Sequence, residues 1–145
     1  MKFRTTRAAG VALGLAFALT GTACSTATDA PEAAVEAPAF ASQHVDAAAF
    51  AAAAAEPGVM IIDVRTPEEY ATGHLAGAVN ANVESADFAG LVSGLDPAGD
   101  YAVYCRSGNR SRVAIETMTG LGYANTVGLE GGITAWTSAG YSVTT

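Results

Sequence analysis

The sequence predicts a single α/β domain built on a mainly parallel sheet with helices on both faces. Three observations carry the prediction. Val59-Met60-Ile61-Ile62-Asp63-Val64 is an apolar run of strand length, the pattern of a strand covered on both sides. Further strand-like runs, Tyr101–Tyr104 and Thr126–Leu129, alternate with stretches of helical spacing, as βαβ units require. Two runs end in polar groups, Asp63-Val64-Arg65 and Cys105-Arg106, and sites in such sheets form beyond the carboxyl ends of strands. At 145 residues the chain has room for one domain.

The first segment is read as an address. Lys2, Arg4 and Arg7 are followed by an uncharged apolar stretch from Ala8 to Ala23, the n-region and h-region of a secretory signal. The stretch is shorter than the roughly 20 residues that span a bilayer. Leu19-Thr20-Gly21-Thr22-Ala23-Cys24 resembles a bacterial lipoprotein signal, which implies lipidation of Cys24. Gly21 stands where that signal usually has Leu, and Gly21-x-Ala23 equally suits an ordinary signal peptidase. Residues 24–41 are Ala, Pro, Thr and Glu with few large apolar residues, so they are expected to be a flexible tether. Export is therefore expected, with membrane contact through Cys24 on the lipidated route, and residues 42–145 are left as the folded domain.

Asp46 to Glu56 predicts an Ala-rich helix with Phe50 on its buried side, stopped by Pro57-Gly58. After the strand at 59–64, Thr66-Pro67-Glu68-Glu69 predicts a helix start: Thr66 as N-cap, Pro67 in the first turn, Glu69 closing a capping box, and Gly73 as the stop. Ala78 to Val83 is a candidate short strand. Phe88, Leu91, Val92 and Leu95 share one helical face. Pro97–Asp100 is a turn before the strand that ends at Cys105. Ala114, Thr117, Met118 and Leu121 mark the stripe of the next helix, and Ile133 to Ala139 a closing helix. Gly120, Gly122 and Gly128 read as helix-end and turn glycines.

Charge narrows the function. Fourteen acids oppose seven basic residues, a net charge of −7, which argues against a nucleic-acid footprint. Without residues 1–23 only Arg65, Arg106, Arg110 and Arg112 oppose all fourteen acids, and no Lys is left for Schiff-base chemistry. Three of those arginines directly follow Cys105. The two cysteines make neither a disulfide framework nor a metal site, and no metal or other cofactor is expected. Gly108 and Asn109 let the Cys105-Arg106-Ser107-Gly108-Asn109-Arg110-Ser111 loop curl at a helix start. Such a loop turns N–H groups inward as an anion nest, and the dipole and the arginines favour thiolate.

At this point the sequence resembles the rhodanese-type sulfurtransferase domain over roughly residues 42–143. The blocks that carry the resemblance are Ile62–Arg65 with Glu68-Glu69-Tyr70, Gly73–Asn80, the Cys105–Ser111 loop, and Leu129–Ile133 with Trp136 and Gly140. The resemblance implies that the Cys105 thiolate takes the outer sulfur of an anionic donor such as thiosulfate. The resulting persulfide is then passed to cyanide or a thiol, a covalent mechanism in two steps. Backbone N–H groups from Arg106 to Ser111 would hold the anion, with Arg106 and Arg110 binding the donor. A persulfide carrier serving a protein partner and a non-catalytic binding module on the same fold are the alternatives. Phosphatase cradles follow Cys-x5-Arg, and the Cys-x4-Arg spacing here resembles the sulfur-transferring members.

Asp63 and Arg65 read as a strand-end pair supporting the loops, and Arg65 is also spaced to pair with Glu69. Arg112 is expected to be solvated. His74 is expected to be a packed, hydrogen-bonded histidine, and His44 incidental at the domain edge. Oligomeric state is left open.

Overall fold

The computed structural model describes residues 40–145. The predicted signal, Cys24 and nearly all of the predicted tether lie outside the described residues. Phe40 already packs against the core.

Five strands, β1 (Gln43–Val45), β2 (Met60–Asp63), β3 (Val79–Asn80), β4 (Tyr101–Tyr104) and β5 (Thr126–Leu129), form one sheet in the order β1-β5-β4-β2-β3. Every pair is parallel. The central strands are fully buried: β4 and β5 show no exposed residue along their length. This is the both-faces-covered pattern that their apolar runs imply.

Helices α1 (Ala47–Ala54), α2 (Pro67–Thr72), α3 (Phe88–Val92), α4 (Asn109–Gly120) and α5 (Gly132–Ser138) complete the fold. On one side Phe50 of α1 and Trp136 of α5 gather with Leu75, Tyr104, Val127 and Leu129. On the other, Phe88 and Val92 of α3 and Ala114, Ile115 and Met118 of α4 pack on Ile62, Val64 and Val103. Asp46 caps α1 through its carboxylate, which accepts from the Ala49 N–H. The capping box of α2 forms as spaced: the Glu69 N–H donates to Thr66 Oγ1, and the Thr66 N–H donates to Glu69.

Four expectations change. The strand expected over 78–83 is paired only at Val79 and Asn80, because it is an edge with one neighbour. Leu91 is 56% exposed, because α3 is a single short element whose core contacts are made by Phe88 and Val92. On α4 the buried stripe runs through Ser111, Ala114, Ile115 and Met118, and Leu121 lies outside it. Gly128 is neither a turn nor a helix-end residue; it sits inside β5, opposite His44 of β1.

In the order β1-β5-β4-β2-β3, the chain runs from β2 outward to β3, then returns across the sheet to β4. The carboxyl ends of β2 and β4 therefore lie side by side at the point where the winding reverses, with Asp63 in register with Tyr104. Open α/β sheets place their sites there.

Candidate active site

Cys105 follows β4 directly and is fully buried. The next residues leave the strand and start α4 within four positions. Gly108 makes this turn possible, with φ +95°, in the left-handed region that costs an L side chain roughly 1–2 kcal/mol. Its N–H then points back at the sulfur, 3.0 Å from Sγ. The first turn of α4 has no side-chain cap, so its N–H groups remain available to an anion at that end. Ser111 is also fully buried, and its hydroxyl donates to the Gly108 carbonyl at 2.9 Å. The Cys105 thiol donates towards the same hydroxyl at 3.8 Å.

The loop is held from behind by α5. The Ile133 N–H donates to the Cys105 carbonyl at 2.8 Å, and Thr134 donates to the Arg106 carbonyl through both its N–H and its hydroxyl. This contact explains Gly132. A Cβ at Gly132 would lie 2.4 Å from the Cys105 carbonyl oxygen, and φ there is +60°.

Asp63 and Arg65 form the expected strand-end pair. Arg65 Nη2 lies 2.6 Å from Asp63 Oδ2, with the carboxylate fully buried and the guanidinium nearly so. Asp63 also accepts from Arg65 Nε, the Arg65 backbone N–H and the Tyr104 hydroxyl. Arg65 reaches on to the Gly73 carbonyl at 2.7 Å, and the Leu75 N–H donates to Tyr104. Burial, then the Asp63 carboxylate, push the Tyr104 phenol far above its ordinary range. The cluster ties together the ends of β2 and β4 and the loop after α2.

The arginines divide differently from the expectation. Arg110 does not turn towards the thiol: its guanidinium makes a two-pronged contact with Glu69, at 2.7 and 2.8 Å, and a third with Glu84. Glu69 thus pairs with Arg110 across the fold, and Arg65 takes Asp63 as its partner. Arg112 pairs with Glu130 on the surface. Arg106, exposed like Ser107 and Asn109, is left without a carboxylate partner among the described residues. It lines a cleft of about 380 Å³ with Arg65, Glu69, Gly73 and Thr134. Asn109 opens α4, and its backbone is not left-handed.

His74 is packed and bonded as expected, its ring stacked on Tyr70 at 3.7 Å and its Nδ1 3.1 Å from the Tyr70 carbonyl. His44 is not incidental: its Nε2 lies 2.9 Å from Ser111 Oγ, although 67 positions separate the two residues. Local spacing carries no sign of this contact; only the pairing of β1 with β5 creates it. Among the described residues no group of three or more His, Cys, Asp or Glu is placed to hold a metal ion.

A parallel five-stranded sheet with a cysteine at the turn between a central strand and an uncapped helix defines an α/β domain of the rhodanese type. The rhodanese-like domain family matches residues 46–139, and the chain belongs to that family. It is 34% identical over 82 residues to the thiosulfate sulfurtransferase GlpE of Pseudomonas entomophila, covering 56% of this chain and 72% of the relative. A sulfurtransferase of Allochromatium vinosum is 33% identical over 85 residues, 59% of this chain and 78% of the other. The crystal structure of a rhodanese-related protein from Thermoplasma volcanium superposes with a TM-score of 0.62 at 32% identity. That match covers 70% of this chain and 97% of the other.

Proposed function

We propose that this protein is a sulfurtransferase that moves a sulfane sulfur from an anionic donor, thiosulfate or a small persulfide, through Cys105 to cyanide or a thiol. The observation that carries the reading is the approach of the Gly108 N–H to Cys105 Sγ at the start of α4. The Cys105 thiolate attacks the outer sulfur of thiosulfate. The S–S bond of the donor breaks, sulfite leaves with the bond's electron pair, and Cys105 becomes a persulfide anion. The acceptor nucleophile then attacks the terminal sulfur and restores the thiolate. Arg106, exposed in the loop next to Cys105, supplies the positive charge that attracts the donor's sulfonate, a charge-assisted contact of the kind arginine makes best. Arg110 acts at one remove, because its pairing with Glu69 fixes the first turn of α4 against α2. Family membership and the sulfurtransferase names of two relatives support the reading.

The chain is proposed to act outside the cytoplasm, exported by its first 23 residues and held to the membrane by a lipid on Cys24. Labelled fatty acid should enter wild type and not Cys24→Ser, whereas plain secretion would leave both unlabelled.

Incubation with thiosulfate should add one sulfur to the Cys105 peptide, read by mass spectrometry. Cys105→Ser should take up none and keep its fold. If Cys105→Ser still forms thiocyanate from thiosulfate and cyanide, Cys105 is not the nucleophile.

A further inference from the structure

Cys105 is fully buried, so its thiol proton has no direct path to water. We propose that His44 is a positioning residue that receives this proton through Ser111 and delivers it to a hollow on the far side of α4. The proposal rests on the reading of Cys105 as the nucleophile.

The geometry is a chain of three groups. Cys105 Sγ lies 3.8 Å from Ser111 Oγ, with the thiol as donor, and Ser111 Oγ lies 2.9 Å from His44 Nε2. Ser111 is fully buried at the first turn of α4, so its hydroxyl links only interior groups. His44 is half-buried and lines a hollow of about 420 Å³ with Ser42, Arg112, Glu116 and Thr119. The relay therefore runs from a closed interior to an open face.

A second observation shows that the fold makes room for the imidazole. Gly128 sits inside the buried strand β5, in register with His44. Glycine weakens a strand interior, and there it commonly marks a close approach. Its φ is not in the left-handed region, so the backbone does not demand glycine. A Cβ at that position would lie 2.4 Å from His44 Cε1 and from Nε2, and 2.6 Å from Cδ2. The missing side chain is the space that the ring occupies.

The proton step balances within the chain. The Ser111 hydroxyl turns from the Gly108 carbonyl to His44 Nε2, each 2.9 Å away. The S–H bond of Cys105 breaks and its proton joins Ser111 Oγ, while the Ser111 O–H proton joins the Nε2 lone pair. The products are a Cys105 thiolate, an unchanged serine and a His44 imidazolium, which gives its proton to water. The charged groups around the ring and its hollow are Arg112 and Glu116 of α4 and Glu130 beyond β5. Burial, then Arg112, hold the imidazole below its ordinary pKa, with Glu130 opposing. A neutral ring with its hydrogen on Nδ1 leaves the Nε2 lone pair open to the proton.

The test is the pH profile of Cys105 in the full chain, read by mass spectrometry of its peptide. Wild type, His44→Gln, Ser111→Ala and the double variant are alkylated with iodoacetamide from pH 5.5 to 9.5 and, separately, treated with thiosulfate. His44→Gln should slow both reactions about tenfold at pH 7 and less than twofold at pH 9.5, where hydroxide in the hollow takes the place of the imidazole as the base at Ser111, tenfold being about 1.4 kcal/mol. The double variant should be no slower than either single one, because the residues act in series. Gly128→Ala, which displaces the ring from Ser111 while keeping the imidazole in the chain, should reproduce the neutral-pH loss. Equal slowing of His44→Gln at every pH, or additive losses in the double variant, would overturn the relay. If alkylation shows the pH-dependent loss and thiosulfate adds no sulfur to wild type, the relay stands and the sulfurtransferase reading fails.

Discussion

Replacing Arg65 by Met tests the buried cluster at the carboxyl ends of β2 and β4. Met keeps much of the aliphatic stem, so the change removes chiefly the guanidinium. In the native fold that group gives Asp63 contacts at 2.6 and 3.0 Å and bonds the Gly73 carbonyl at 2.7 Å. Asp63 is fully buried and Arg65 is 4% exposed, so water replaces none of this. The variant keeps the Tyr104 hydroxyl and the residue-65 N–H as donors to Asp63, but the carboxylate has lost its counter-charge. Breaking a buried pair from one side costs about 3–5 kcal/mol. With a urea m-value of about 2 kcal/mol/M for a domain of this size, the midpoint should fall by roughly 2 M. Trp136 fluorescence and far-ultraviolet circular dichroism should report the same shift. Asp63→Asn added to Arg65→Met removes the stranded charge and keeps an acceptor for Tyr104, so it should recover about 2 kcal/mol of the loss. A cost below about 1 kcal/mol for Arg65→Met, the range of an exposed ion pair, would refute the reasoning.

The remaining expectations concern the loop and its neighbours. Gly132→Ala places a Cβ 2.4 Å from the Cys105 carbonyl oxygen and 2.5 Å from the Arg106 carbonyl carbon, both backbone atoms that cannot turn aside. Overpacking of this kind costs about 1–3 kcal/mol, so a thermal midpoint unchanged from wild type would contradict the contact. Arg106→Ala should leave stability within about 0.5 kcal/mol, since the side chain is exposed, and raise KM for thiosulfate about tenfold with kcat little changed. Equal KM values would remove Arg106 from donor binding. The Arg110 hydrogen bond, against burial, lowers the Glu69 carboxyl from 4.5 to about 2. A folded pKa below the unfolded one stabilises the fold above pH 4.5, and that stabilisation disappears as pH falls through about 2. Urea midpoints of wild type and Arg110→Gln should therefore differ at pH 6 and converge towards pH 2; a gap constant with pH would show that the ion pair is not its source.

Much of the architecture is written locally. The Tyr101–Tyr104 and Thr126–Leu129 runs coincide with β4 and β5, since strands covered on both faces must be apolar at every position. Thr66, Pro67 and Glu69 set the start of α2 through bonds that span three residues. Gly108 sits where the chain must turn left-handed to bring its N–H to the sulfur. These features depend on neighbours a few positions apart, and local pattern is enough to place them.

Other features have no such local cause. β1 is three residues long at the sheet's edge, and Gln43-His44-Val45 has no length in which a period can show. Arg110 is drawn from the thiol by Glu69 and Glu84, 41 and 26 positions away, a choice settled by which helices meet. His44 and Gly128 acquire their meaning from being paired across two strands. The sequence by itself determined the layered α/β frame and the cysteine turn, because helix periods, strand burial and left-handed glycines act over a few residues. The tertiary structure alone decided which charges neutralise each other and which histidine reaches the site, because those contacts exist only after distant strands have come into register.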